Sequence, residues 1–70
     1  MKLSNYVKQY RTKNNLTQRE FAKLCGFNQA YRISLIENNT VKISYKTIRA
    51  LAKAMNLSET YVRKLYENRE

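Results

Sequence analysis

An all-α domain of five short helices is what this 70-residue chain predicts, and three observations carry that expectation. Proline is absent, and β-branched residues never form a long alternating run of the kind a strand needs. Apolar residues instead recur three and four positions apart, the spacing of one helix face. Between those stretches stand Asn14-Asn15, Gly26, Asn38-Asn39 and Asn56, residue types that tolerate the backbone of a helix end.

Each element has its own reason. The first helix covers about residues 2–14, with Leu3, Tyr6, Val7 and Tyr10 as its apolar stripe and Asn14-Asn15 as its stop. The second runs from about Thr17 to Cys25. Its start is a capping box, in which the Thr17 oxygen accepts from the Glu20 N–H while the Glu20 carboxylate reaches back. Phe21, Ala22, Leu24 and Cys25 are its apolar face. Gly26, the only glycine, permits the positive φ of a tight turn between helices. A third helix is expected from Asn28 or Gln29 to Asn38, with Ile33 and Ile36 facing the core. Val41-Lys42-Ile43 bridges to Ser44, an N-cap for a fourth helix over about 45–55, whose inner face is Ile48, Leu51, Ala52 and Met55. Asn56 closes it. The fifth starts at Ser58 with Glu59 at the positive end of its dipole, and carries Tyr61, Val62, Leu65 and Tyr66. Connections of two to six residues suit one bundle over residues 1–70.

Charge placement narrows function. The net charge is +9, and residues 1–57 hold eleven Lys/Arg against only Glu20 and Glu37. Residues 58–70 balance Arg63, Lys64 and Arg69 against Glu59, Glu67 and Glu70. A positive field over four-fifths of the chain suits a polyanion, and the plainer alternative is a solvated surface. With no histidine, no aspartate and one cysteine, neither a zinc site nor a paired acid/base site can be assembled, so no metal, no cofactor and no catalysis are expected. Cys25 reads as a small core residue rather than a redox switch. No stretch resembles a signal peptide or a membrane span, which sets the expectation of a cytoplasmic protein with no membrane partner. Seventy residues leave no room for a ligand-sensing domain, so no small-molecule ligand is expected.

Three segments resemble a known family. Leu16-Thr17-Gln18-x-Glu20-Phe21-Ala22-x-x-Cys25-Gly26, Tyr31-x-Ile33-Ser34-x-Ile36-Glu37-Asn38 and Ile48-x-x-Leu51-Ala52-x-Ala54-Met55-Asn56-Leu57 are similar to successive helices of the Cro/CI-type (XRE) helix-turn-helix repressors of phages and bacteria. The resemblance covers about residues 6–66. It implies a five-helix, lambda-repressor-like DNA-binding domain with the helix-turn-helix formed by helices 2 and 3. One departure stands out: between Gly26 and Glu37 this chain holds one residue more than the family pattern. Either Phe27-Asn28 lengthens the turn, which places Gln29 at the helix start, or the third helix is irregular. The longer turn is the favoured reading.

The resemblance implies that the third helix enters the major groove, where every base pair presents a distinct pattern. With Ile33 and Ile36 inward, a turn of ~100° per residue sends Tyr31, Ser34 and Leu35 outward. Asn28 and Gln29 sit at the end presented to base edges, and Arg32 lies on the flank, reading guanine or holding phosphate. Leu35 is either an apolar contact to thymine methyls or a core residue. Phosphate contacts are expected from Gln18, by resemblance and by its place at a helix N-terminus, and from Asn38, Lys42, Tyr45 and Lys46 around the next loop. Arg11 and Glu37 fall where the family carries a structural ion pair, and a guanidinium–carboxylate fork there would fix the recognition helix.

The neutral last helix has aromatic residues to spare. Leu57, Val62 and Leu65 are expected to close the core, and Tyr61 and Tyr66 are candidates for a two-fold dimer contact. The leading function is therefore a repressor of phage or mobile-element type, binding double-stranded DNA at a palindromic operator as a homodimer. The alternative is an antitoxin or antirepressor that uses the same scaffold to bind protein.

Overall fold

The computed structural model, which describes residues 1–40 and 42–68, contains α1 (Leu3–Lys13), α2 (Gln18–Cys25), α3 (Tyr31–Glu37), α4 (Tyr45–Met55) and α5 (Glu59–Glu67), with no strand among the described residues. Helix starts follow the expected chemistry. Thr17 and Glu20 form the capping box, with Glu20 N–H donating to the Thr17 hydroxyl at 3.0 Å and Thr17 N–H to the Glu20 carboxylate at 2.8 Å. Those bonds hold the Glu20 carboxyl below its ordinary range. The Ser44 and Ser58 hydroxyls accept from the N–H groups of Thr47 and Tyr61.

Four of the five helix ends share one device. Asn15, Gly26, Asn39 and Asn56 all have positive φ, from +56° to +79°. In each case the following N–H returns to a carbonyl five residues back: Leu16 to Arg11, Phe27 to Ala22, Thr40 to Leu35 and Leu57 to Ala52. That bond satisfies carbonyls that a helix end leaves free, and an apolar residue after the left-handed one commonly packs back on the helix. Leu16, Phe27 and Leu57 do so, half-buried against the core. Asparagine performs at three ends the work usually given to glycine, which explains how the chain manages with one.

The core is assembled from one stripe per helix: Leu3 and Val7, Phe21 and Ala22, Ile33 and Ile36, four residues of α4, and Val62 with Leu65. Helix α1 packs on α3 and α5, α2 on α3 and α4, and α4 on α5. Tyr10 leans on Phe21 with ring centres 5.8 Å apart. Leu24 departs from the expected apolar face of α2. It lies about 60° around the helix from Phe21 but about 160° from Ala22, on the outer edge of the stripe, and it stands in solvent. No described helix is long and apolar enough to cross a membrane.

The front of α3 also differs from the sequence reading. Asn28 and Gln29 lie in the connection, and the regular helix begins only at Tyr31. Ala30, whose side chain offers no cap, precedes it, and the first bonds are short-range, from Arg32 N–H to the Gln29 carbonyl and from Ile33 N–H to that of Ala30. The turn therefore absorbs the extra residue, and α3 runs without irregularity with Ile33 and Ile36 buried. Val41, read as part of the bridge into Ser44, lies outside the described residues.

No atom lies within 4 Å of a Cβ placed on Gly26, so its φ of +79° is its only constraint. Gly26→Ala is expected to lower unfolding stability by about 1–2 kcal/mol through left-handed strain. Gly26→Asn should cost markedly less, since asparagine holds that geometry at three other ends. Thermal unfolding of the two variants measures the difference, and equal losses would refute the strain account.

Candidate nucleic-acid interface

The rear of α3 is anchored by charge as well as by Ile33 and Ile36. Arg11 Nε donates to Glu37 Oε2 at 2.7 Å and Nη2 to Oε1 at 3.2 Å, a two-pronged fork. Arg11 Nη1 donates to the Leu16 carbonyl at 2.9 Å, and Gln18 Nε2 donates to Glu37 Oε1 at 3.2 Å. The Glu37 side chain is 5% exposed and that of Arg11 16%. Hydrogen bonding to Glu37 pushes the Arg11 pKa further up, against the opposing effect of burial. Three side chains, Arg11, Gln18 and Glu37, thus join α1, the loop after it, the start of α2 and the end of α3.

With its rear held, α3 has a defined front. Tyr31 is 58% exposed, Arg32, Asn28 and Gln29 are exposed, and Ser34 and Leu35 are half-buried. Leu35 therefore offers a partial apolar edge between the two roles open to it. Asn38 and Ser34 approach at 3.5 Å on the same exposed side. Arg32 is not a free cation. Its guanidinium carbon lies 4.4 Å from the Phe27 ring centre, and Nη2 donates to Thr47 Oγ1 at 3.2 Å.

Around this front lie groups suited to a phosphate backbone. Gln18 is half-buried at the first turn of α2, with its amide shared with Glu37. Lys42 and Lys46 are exposed, and neither takes part in the ion pairs found among the described residues, Arg11–Glu37 and Arg49–Glu59. Tyr45 is engaged internally: its hydroxyl donates to Glu59 Oε1 at 2.6 Å, while Arg49 Nε donates to Oε2 at 3.2 Å. The bond to Tyr45, then that to Arg49, holds the Glu59 carboxyl below its ordinary range, and the same contact raises the Tyr45 phenol.

Several contributors were not singled out from the sequence. Arg19 and Lys23, one turn apart on α2, flank a groove of about 420 Å³ whose other wall is the turn from Phe27 to Ala30. Their i, i+4 spacing was the available signal. Thr47 is buried, 6% exposed, and its hydroxyl meets both Arg32 and Ser44. The signal there was Ser44-x-x-Thr47, a capping spacing with threonine in place of glutamate. On α5, Tyr61 meets Tyr6 edge to face at 6.1 Å and remains 45% exposed. Tyr66 is half-buried, its hydroxyl accepting from the Ile43 N–H at 3.1 Å.

Comparison with known proteins agrees with the fold. Residues 7–62 match the helix-turn-helix family. The chain is also 36% identical over 56 residues to the control protein C.SmaI of Serratia marcescens. That alignment covers 80% of this chain and 66% of the relative, just under two thirds of its length.

Two predictions follow from the geometry. Arg11→Met should cost about 3 kcal/mol in urea unfolding by stranding the Glu37 carboxylate, and Arg11→Met with Glu37→Leu should regain most of it. A single-variant loss below about 0.5 kcal/mol, the range of an exposed pair, would show that the fork contributes little. Burial pushes the Cys25 thiol up to about 12, so at pH 8 its thiolate fraction falls on the order of a thousandfold below that of an ordinary thiol. Alkylation should be much slower in the folded protein than in denaturant, and equal rates would contradict that burial.

Proposed function

Because this chain belongs to the XRE-type helix-turn-helix family of non-enzymatic, DNA-binding regulators, we propose that it recognises a specific double-stranded DNA sequence and regulates transcription there. The carrying observation is the posture of α3: buried Ile33 and Ile36 and the Arg11–Glu37 fork fix its rear, while Tyr31, with Asn28 and Gln29 just ahead, stands in solvent. A rigid helix offered edge-on, with the exposed cations Lys42 and Lys46 beyond it, fits a major groove flanked by phosphates.

In this reading Asn28, Gln29, Tyr31 and Ser34 meet base edges, with Leu35 at the margin against thymine methyls. Gln18 uses the free part of its amide and its helix N-terminus for phosphate. Lys42, Lys46 and Asn38 do the same from the next loop, and Arg19 and Lys23 extend the basic rim. Tyr45 first has to leave Glu59. The likeness to a control protein supports regulatory work. We take the mode to be repression of phage or mobile-element type, by a homodimer on a palindromic operator. The exposed Tyr61 on the charge-balanced α5 supports a two-fold contact there.

In vitro selection of bound duplexes should return a palindromic consensus. On that duplex, Gln29→Ala should relax preference at the base pairs it meets. Lys42→Ala should weaken binding to all sequences and reduce the salt slope by about 1. Equal loss on all sequences from both variants would overturn the assignment of the recognition helix. Failure to enrich any duplex, with capture of a protein instead, would favour the interaction-module alternative.

A further inference from the structure

We propose that Arg32 is a positioning residue: it braces the recognition helix against the start of α4 and sets the angle at which the base-reading side chains enter the groove. This rests on the DNA-binding reading above. Helix α3 packs chiefly on α1 and α2, whereas α4 packs on α2 and α5. The two elements assigned to bases and to the phosphates beyond them are therefore tied mainly through a third. Arg32 spans that gap. Its guanidinium lies over the Phe27 ring at 4.4 Å and reaches Thr47 Oγ1 at 3.2 Å.

Both ends of the brace are fixed. Phe27 is held by its N–H bond to the Ala22 carbonyl and by half-burial against the core. Thr47 is 6% exposed, and its hydroxyl also meets the Ser44 hydroxyl at 3.2 Å while its N–H donates to that same oxygen at 3.3 Å. A planar guanidinium can stack by its face and donate by its edge at once, which a lysine ammonium cannot. Phe27 opens the lengthened connection between α2 and α3. The extra residue thus gains a defined seat, because the side chain that follows the turn grips the one that begins it.

The test compares wild type with Arg32→Lys, Thr47→Val and the double variant, each shown by thermal unfolding to be folded at the assay temperature. Affinity is measured on the selected duplex and on random duplex, over a salt series. A brace predicts that each single change lowers the specific-to-random ratio roughly tenfold, the scale of one charge-assisted hydrogen bond. The loss should spread over several base pairs, leave the salt slope unchanged, and not deepen in the double variant. Thr47 is buried, so its effect is the most direct readout. Full retention by Arg32→Lys would assign a phosphate contact and overturn the proposal. So would loss confined to one base pair, which marks a base reader, or an unchanged ratio in Thr47→Val. A wild-type protein with no preference among duplexes would overturn the functional reading, and this proposal with it.

Discussion

Glu37 is the residue on which the arrangement turns. It is the last position of α3, nearly buried, and a carboxylate so placed is tolerable only if its oxygens are occupied. Arg11 and Gln18 occupy them, and to do so α1, α2 and α3 must meet at one point. The apolar stripes alone would permit some sliding, since burial is not directional. A two-pronged ion pair does not slide. The exposed face of α3 is therefore set by a polar contact at its opposite end, and the side chains on that face inherit their aim from it.

Polar chemistry does similar work elsewhere at lower cost. The starts of α2, α4 and α5 are set by hydroxyls and the ends of α1 to α4 by left-handed asparagine or glycine, so most elements are delimited before they pack. Charge is also divided by purpose. Glu59 gathers Tyr45 and Arg49 on the α4–α5 side, which neutralises part of the positive surface there. Lys42 and Lys46 lack such partners among the described ion pairs.

Most of the fold was legible because its signals are local. Capping pairs, asparagine stops and stripes at three and four residues need no knowledge of partners, and α4 was read with the apolar part of its inner face, without Thr47. Leu24 was misplaced because composition says that leucine is apolar but not which edge of a short helix it occupies. The front of α3 was misread for a different reason. Glutamine and asparagine suit a first turn as well as a loop, and their local spacing does not decide between the two. The family resemblance pointed to the fork between Arg11 and Glu37, but nothing in sequence spacing shows that Arg32 finds Phe27 and Thr47. Such contacts belong to the assembled molecule.

Helix α3 has seven residues, so it is about 10 Å long, the length of about three base-pair steps. Three base pairs recur by chance every few dozen positions, and a genome offers on the order of a million or more competing sites. In the proposed role, one copy of this chain carries far too little information to find an address. Its charge can keep it on DNA, but location has to come from sites repeated at a fixed spacing and read together. The shortness that follows from a longer turn makes the spacing between copies, as much as any side chain, the carrier of the message.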